Sequence, residues 1–91
     1  MSVEVGYYKH FKGNIYQVLG VGKHSETGEE LVVYLGLYDV PHVFGAMWIR
    51  PVSMFLETIE RDGKVMRRFA PISYREAMRE LYPSPLNADK V

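Results

Sequence analysis

The sequence predicts a mainly β fold: a small, strongly bent, SH3-like barrel of about five to six strands with one C-terminal amphipathic helix. Three observations carry this expectation. Short apolar or alternating runs recur every few residues between Gly, Asn, Asp and Pro turns, the pattern of a small antiparallel β protein. Gly20 and Gly22 lie on one face of a strand, where a sheet that curls back on itself needs a bend, a bulge or a close backbone approach. Only the last segment changes period, with Tyr74, Ala77, Met78, Leu81 and Tyr82 recurring at helical spacing.

The elements follow in order. Residues 5–11, rich in Tyr and Phe, read as a first strand, and Lys12-Gly13-Asn14 turns it back. Residues 15–24 make a second strand. Ser25-Glu26-Thr27-Gly28-Glu29 is a polar hairpin loop with Gly28 available for a left-handed conformation. Residues 31–38 are apolar on both faces, so they predict a central strand covered on both sides. A loop with Pro41 and Gly45 leads to a short strand, 46–50, which carries the single Trp48 and is stopped by Pro51. Residues 54–69 read as a hairpin around Asp62-Gly63, a type I′ signal. That turn sets Arg61 opposite Lys64, Ile59 opposite Met66, Glu57 opposite Arg68 and Leu56 opposite Phe69. Ser73 and Glu76 form a capping box at the start of the helix, and Pro83 ends it.

Ninety-one residues support one domain, with 1–72 as the barrel and 73–91 as the helix and a short tail packed on it. Hydrophobic residues make up 47% of the chain and charged residues 24%, which excludes a disordered composition. Eleven Lys and Arg balance eleven Asp and Glu, which argues against a wholesale basic nucleic-acid binder and against an acidic tail protein. The charge is nevertheless uneven: from Glu60 onward seven Lys and Arg stand against five acids. The absence of Cys removes disulfides, thiolate metal sites and a thiol nucleophile. The first nine residues contain no apolar secretory core, and the longest apolar run, 31–38, falls far short of the ~20 residues that cross a bilayer. The expectation is a cytoplasmic protein.

Many of these pieces, taken in order, resemble the bacterial domain of unknown function 1653 family. They are Tyr8-Lys9-His10-Phe11-Lys12-Gly13, Tyr16-Gln17-Val18-Leu19-Gly20, His24-Ser25-Glu26-Thr27, Val32-Val33-Tyr34, Leu37-Tyr38, Trp48-Ile49-Arg50-Pro51, Met54-Phe55-Leu56-Glu57 and Arg68-Phe69. The resemblance runs from about Gly6 to Ile72 and implies a small β-rich bacterial domain. It implies no chemistry. Arg67 stands where the family favours Pro, and the segment from Ser73 onward lies outside the resemblance.

Two constellations stand out as candidate chemistry. Glu57 and Arg68, opposed between apolar neighbours, are either a cross-strand ion pair or the polar floor of a pocket, and the ion pair is the commoner outcome. Trp48 and Arg50 share a strand face and, with Tyr34, offer a flat platform for a planar ligand; the competing reading makes Trp48 core and Arg50 its cover. Of the three histidines, His10 is the functional candidate, as a neutral donor or a base near pH 7. His24 suits hydrogen bonding to the loop after it. The spacings of His10, His24 and His42 do not match a metal site.

The sequence thus predicts a ligand-binding site of His10, Tyr34, Trp48, Arg50, Glu57 and Arg68. Arg50 and Arg68 would hold an anion, Trp48 and Tyr34 would stack, and Glu57 would orient Arg68. No catalytic residue, metal or cofactor is predicted, and binding is favoured over enzymatic activity. The expected partner is a small molecule or a protein, with single-stranded nucleic acid less favoured and no membrane. A small enzyme acting on a nucleotide-like molecule and a purely interacting domain are the other rivals. The expected state is a monomer or a weak homodimer.

Overall fold

The computed structural model describes residues 3–37 and 45–82. Among these the chain forms β1 (Gly6–His10), β2 (Ile15–Lys23), β3 (Glu30–Gly36), β4 (Met47–Pro51), α1 (Val52–Phe55), β5 (Thr58–Arg61), β6 (Lys64–Arg67), β7 (Phe69–Ile72) and α2 (Tyr74–Leu81). The mainly β class is as expected. The sheet order is β4-β3-β2-β1-β7, all antiparallel, with β5 and β6 as a separate two-stranded sheet. Tyr38, the loop with Pro41 and His42, and the tail from Pro83 lie outside the described residues.

The sheet bends without closing into a barrel. Its edges are β4 and β7, which share no ladder. The bend has a local cause in β2: pairing with β3 shifts register between Val18 and Gly20, so Leu19 is an extra residue in the strand. Such a bulge increases twist and curls the sheet. This is the irregularity that Gly20 and Gly22 announced.

The core lies on the concave face. Tyr8, Val18, Val32 and Tyr34 point into it from the sheet, and Val52, Phe55 and Phe69 close it. Phe55 and Phe69 stack with centroids 4.3 Å apart, and Tyr8 and Tyr34 meet Phe55 edge-on at 5.3 and 5.5 Å. The Tyr8 hydroxyl donates to the Glu4 carbonyl at 2.8 Å, tying the first described residues to this core. Along β3 the alternation is clean: Val32, Tyr34 and Gly36 are buried, while Leu31, Val33 and Leu35 are half-buried. The strand is therefore central but fully covered on one face only.

The segment after β4 departs from the predicted hairpin. Residues 52–55 form a single helical turn, and Leu56 caps it instead of facing Phe69. Pro51 explains the change, because proline ends the β4 ladder and is well suited to a helix start. Phe55 thereby drops into the core rather than joining a strand. The rest of the hairpin register holds: Arg61 faces Lys64, Ile59 faces Met66, and Thr58 faces Arg67. Asp62 and Gly63 both have positive φ, 54° and 76°, as a type I′ turn requires. The ladder ends where the Arg68 N–H donates to the Glu57 carbonyl at 3.0 Å. The Arg68 carbonyl in turn accepts from the Phe11 N–H at 3.0 Å, so this residue joins hairpin to sheet, and β7 begins after it.

The helix α2 starts as its capping pattern predicts, with the Glu76 N–H donating to the Ser73 hydroxyl at 3.0 Å. It packs on the convex face of β1. Ala77 is fully buried, Tyr74 meets Tyr7 edge-on at 5.7 Å, and Lys9 pairs with Glu80 at 2.7 Å.

Candidate functional site

Directly opposed residues of antiparallel strands share a face. The pairs Tyr8–Tyr16, His10–Phe69, Tyr34–Trp48 and Val32–Arg50 therefore put one set of side chains on the concave face. His10 ends β1, Tyr16 lies near the start of β2, Tyr34 late in β3, Trp48 early in β4, and Phe69 begins β7. Because strand direction alternates, all five fall at one end of the sheet. Arg50, two residues beyond Trp48, reaches back and donates from Nε to the Tyr34 hydroxyl at 3.2 Å. These six residues, drawn from every strand of the sheet, line a concavity of about 250 Å³.

The curl of the sheet makes this concavity. Four strand spacings would hold β4 and β7 about 19 Å apart in a flat sheet. Instead the Arg50 guanidinium carbon, on one edge strand, lies 5.7 Å from the ring centre of Phe69 on the other. The aromatic floor is packed edge to face: Tyr16 meets Tyr34 at 5.5 Å and Phe69 at 5.4 Å, and His10 meets Phe69 at 4.9 Å. Such pairs hold rings in fixed orientations. Trp48 differs from this floor, with 45% of its surface exposed. It forms an open rim, not core.

The electrostatics of the site are one-sided. Burial first, then the charges of Arg68, Lys12 and Arg50, hold the His10 imidazolium below the ordinary histidine range. Each of these charges is positive, and among the described residues no carboxylate lines the concavity. The Lys12 N–H donates to His10 Nδ1 at 3.1 Å, so in the neutral ring the proton sits on Nε2. The Nε of Arg68 is buried with no hydrogen-bond partner among the described residues. A site with this composition can receive an anion on its cations and lay a flat group against exposed indole.

Four of the six predicted residues, His10, Tyr34, Trp48 and Arg50, come together here. Arg68 is not part of the lining but is the nearest in influence of the charges on His10. Glu57 stands apart. Its carbonyl receives the Arg68 N–H, yet its side chain is exposed and forms no ion pair with Arg68. The structure does not bring the Glu57 side chain together with Arg68: register opposes the two backbones, and the α1 turn takes the place of the strand expected before Glu57. Tyr16 and Phe69 line the site without having been singled out for it. Alternation with Tyr8 could have found Tyr16. Phe69 required the long-range pairing of β7 with β1, for which the sequence carries no local signal. His24 behaves as a loop cap, its Nδ1 accepting from the Glu26 and Thr27 N–H groups at 3.1 and 3.3 Å. Among the described residues no cluster of side chains is set to hold a metal, and no helix is long and apolar enough to cross a membrane.

Comparison with known proteins bears on the same region. Residues 6–71 match the profile of a family described as protein of unknown function (DUF1653). Among solved structures, the crystal structure of a protein of that family from Bordetella bronchiseptica is similar, with a TM-score of 0.71 and 32% sequence identity. The match covers 79% of this chain and 90% of that one. No curated protein matches.

Proposed function

The chain belongs to the DUF1653 family, whose description assigns no activity, and from that premise we propose that it is a small bacterial, cytoplasmic binding module that grips an anionic, flat ligand in the concavity of its sheet. The observation that carries this reading is the uncompensated positive charge around His10. The charges of Arg68, Lys12 and Arg50 all act on the His10 imidazole, and among the described residues none that lines the concavity is acidic. Unpaired cations held beside a desolvated ring favour an anion as their partner. Arg50 is pre-positioned by its bond to Tyr34, which leaves both terminal nitrogens to meet an oxyanion side by side. Trp48 and Tyr34 supply the flat wall. Among the described residues the lining holds no carboxylate pair and no serine or threonine hydroxyl, which supports binding over nucleophilic chemistry or catalysis by paired carboxylates. A chain without Cys suits a reducing compartment.

NMR titration with benzoate and with inorganic phosphate tests the reading. The Trp48 indole and the His10 amide should shift with both. Arg50→Lys keeps the charge but loses the paired donors, and should weaken binding by about tenfold, the equivalent of ~1.4 kcal/mol. Shifts confined to the β5–β6 hairpin or to α2, or none at all, would sink it.

A further inference from the structure

We infer that the ligand's charged end is a phosphomonoester and that its other end is a single flat ring lying on Trp48. This rests on the binding reading above and narrows it to one class of molecule.

The first argument is charge. Arg50 in β4 lines the concavity with His10, Tyr16 and Tyr34, and the charges of Arg68 beyond β6 and Lys12 in the β1–β2 turn act on His10 from outside that lining. The ion pair formed among the described residues, Lys9 with Glu80, lies on the opposite face of the sheet. Among the described residues none of these three cations forms an ion pair. A singly charged ligand leaves most of that charge unmatched, whereas a phosphomonoester carries close to two negative charges at neutral pH.

The second argument is donor geometry. His10 cannot accept through Nδ1, which is occupied by the Lys12 N–H, so it offers Nε2–H as a fixed donor. Arg50 offers its terminal nitrogens, because Nε is held by Tyr34. Donors from two strands converging on one concavity suit a tetrahedral group with three terminal oxygens better than a two-oxygen carboxylate. Size is the third argument. About 250 Å³ lies just below the ~300–1,000 Å³ of sites for drug-sized ligands. That admits one ring with one charged group, and it favours a free small molecule over the end of a nucleic-acid strand. Trp48, on the rim and 45% exposed, is where the ring would lie.

Trp48 is the single Trp of the chain, so its fluorescence reports this site alone. The experiment compares phenyl phosphate, phenyl sulfate and inorganic phosphate at pH 7.5. Phenyl phosphate should quench Trp48 and bind at least about tenfold tighter than phenyl sulfate, which has the same shape and one charge fewer. It should also bind about tenfold tighter than inorganic phosphate, and Trp48→Leu, followed by NMR, should erase that second margin alone. Affinity for phenyl phosphate should fall as pH drops through about 6, where the dianion takes up a proton. Equal affinity for the sulfate would overturn the phosphomonoester while leaving an anion site standing. Equal affinity for inorganic phosphate would remove the ring. Uridine 5′-monophosphate and a 5′-phosphorylated dinucleotide separate the two sources of this chemistry, and tighter binding of the dinucleotide would overturn the free ligand. If benzoate, phosphate and phenyl phosphate all leave the site unmoved, the binding reading itself fails.

Discussion

At the scale of single residues, His10 joins structure and electrostatics. Its Nδ1 closes the β1–β2 turn by accepting the Lys12 N–H, while its ring packs against Phe69 and Phe11 with centroids 4.9 and 4.4 Å away. Protonation would force Nδ1 to donate, breaking the turn bond and adding a charge to a set already made of Arg68, Lys12 and Arg50. Burial, and after it the charges of Arg68, Lys12 and Arg50, lower the folded-state pKa from the ordinary 6.5. Between that lowered value and about 6.5 the unfolded chain binds more protons than the folded one, so stability rises with pH across this window. The stabilisation is complete above about 6.5 and is lost on acidification. Unfolding free energies measured by urea titration from pH 5 to 7.5 should show this slope. His10→Asn, whose side-chain oxygen can still accept the Lys12 N–H, should flatten it. An unchanged slope in the variant would show that another group controls acid stability. The sequence marked His10 because it lies in the first hairpin with Lys9 and Lys12, but only the fold could show that the charges of Arg68 and Arg50 act on it as well.

The elements differ in how far their own residues determine them. The helix α2 was legible because its apolar positions and its cap are local signals, and both hold: Ser73 accepts from the Glu76 N–H, and Ala77 is fully buried. Removing the cap by Ser73→Ala should cost about 1 kcal/mol, within the ~0.5–2 kcal/mol known for such caps, read as a lowered unfolding midpoint. Ser73→Asp should restore it, because aspartate caps equally well and suits the positive end of the helix. If Ser73→Asp is as unstable as Ser73→Ala, the hydroxyl matters for something other than capping. The Asp62-Gly63 turn was legible for the same reason, since a two-residue loop with both φ angles positive admits few other residue pairs. The turn α1 was not. Its residues continue an alternating pattern that runs from Phe55 through Glu57 and Ile59, so the period reads as strand. Burial of Val52 and Phe55 against the sheet overrides that pattern. Glu57 is not brought to Arg68 as a consequence, because its expected place depended on Phe55 and Leu56 continuing the strand beside it.

For the whole molecule, the decisive feature is a sheet curled far enough for its edges to approach but left open between β4 and β7. Gly20 and Gly22 marked the curl, but the expected barrel does not close: closure is a pairing between strands some twenty residues apart that no local signal records. The sequence did carry one mark of the edges. Pro51 lies in β4 and Pro71 in β7, the two edge strands, where a missing N–H interrupts no central ladder. An open mouth also explains how one concavity can take Arg50 from one edge and Phe69 from the other. Hydrogen exchange distinguishes open from closed directly. In the free protein, alternate amides of β4 and β7 point away from their single partner strand and should exchange rapidly. The ladder amides of β1, β2 and β3 are paired within the sheet and should be protected up to the stability of the whole fold. If the outward amides of both edge strands are instead protected as strongly as those of β1 and β2, the edges pair in solution. The site would then be the interior of a closed barrel, and a ligand would need an opening motion to enter it.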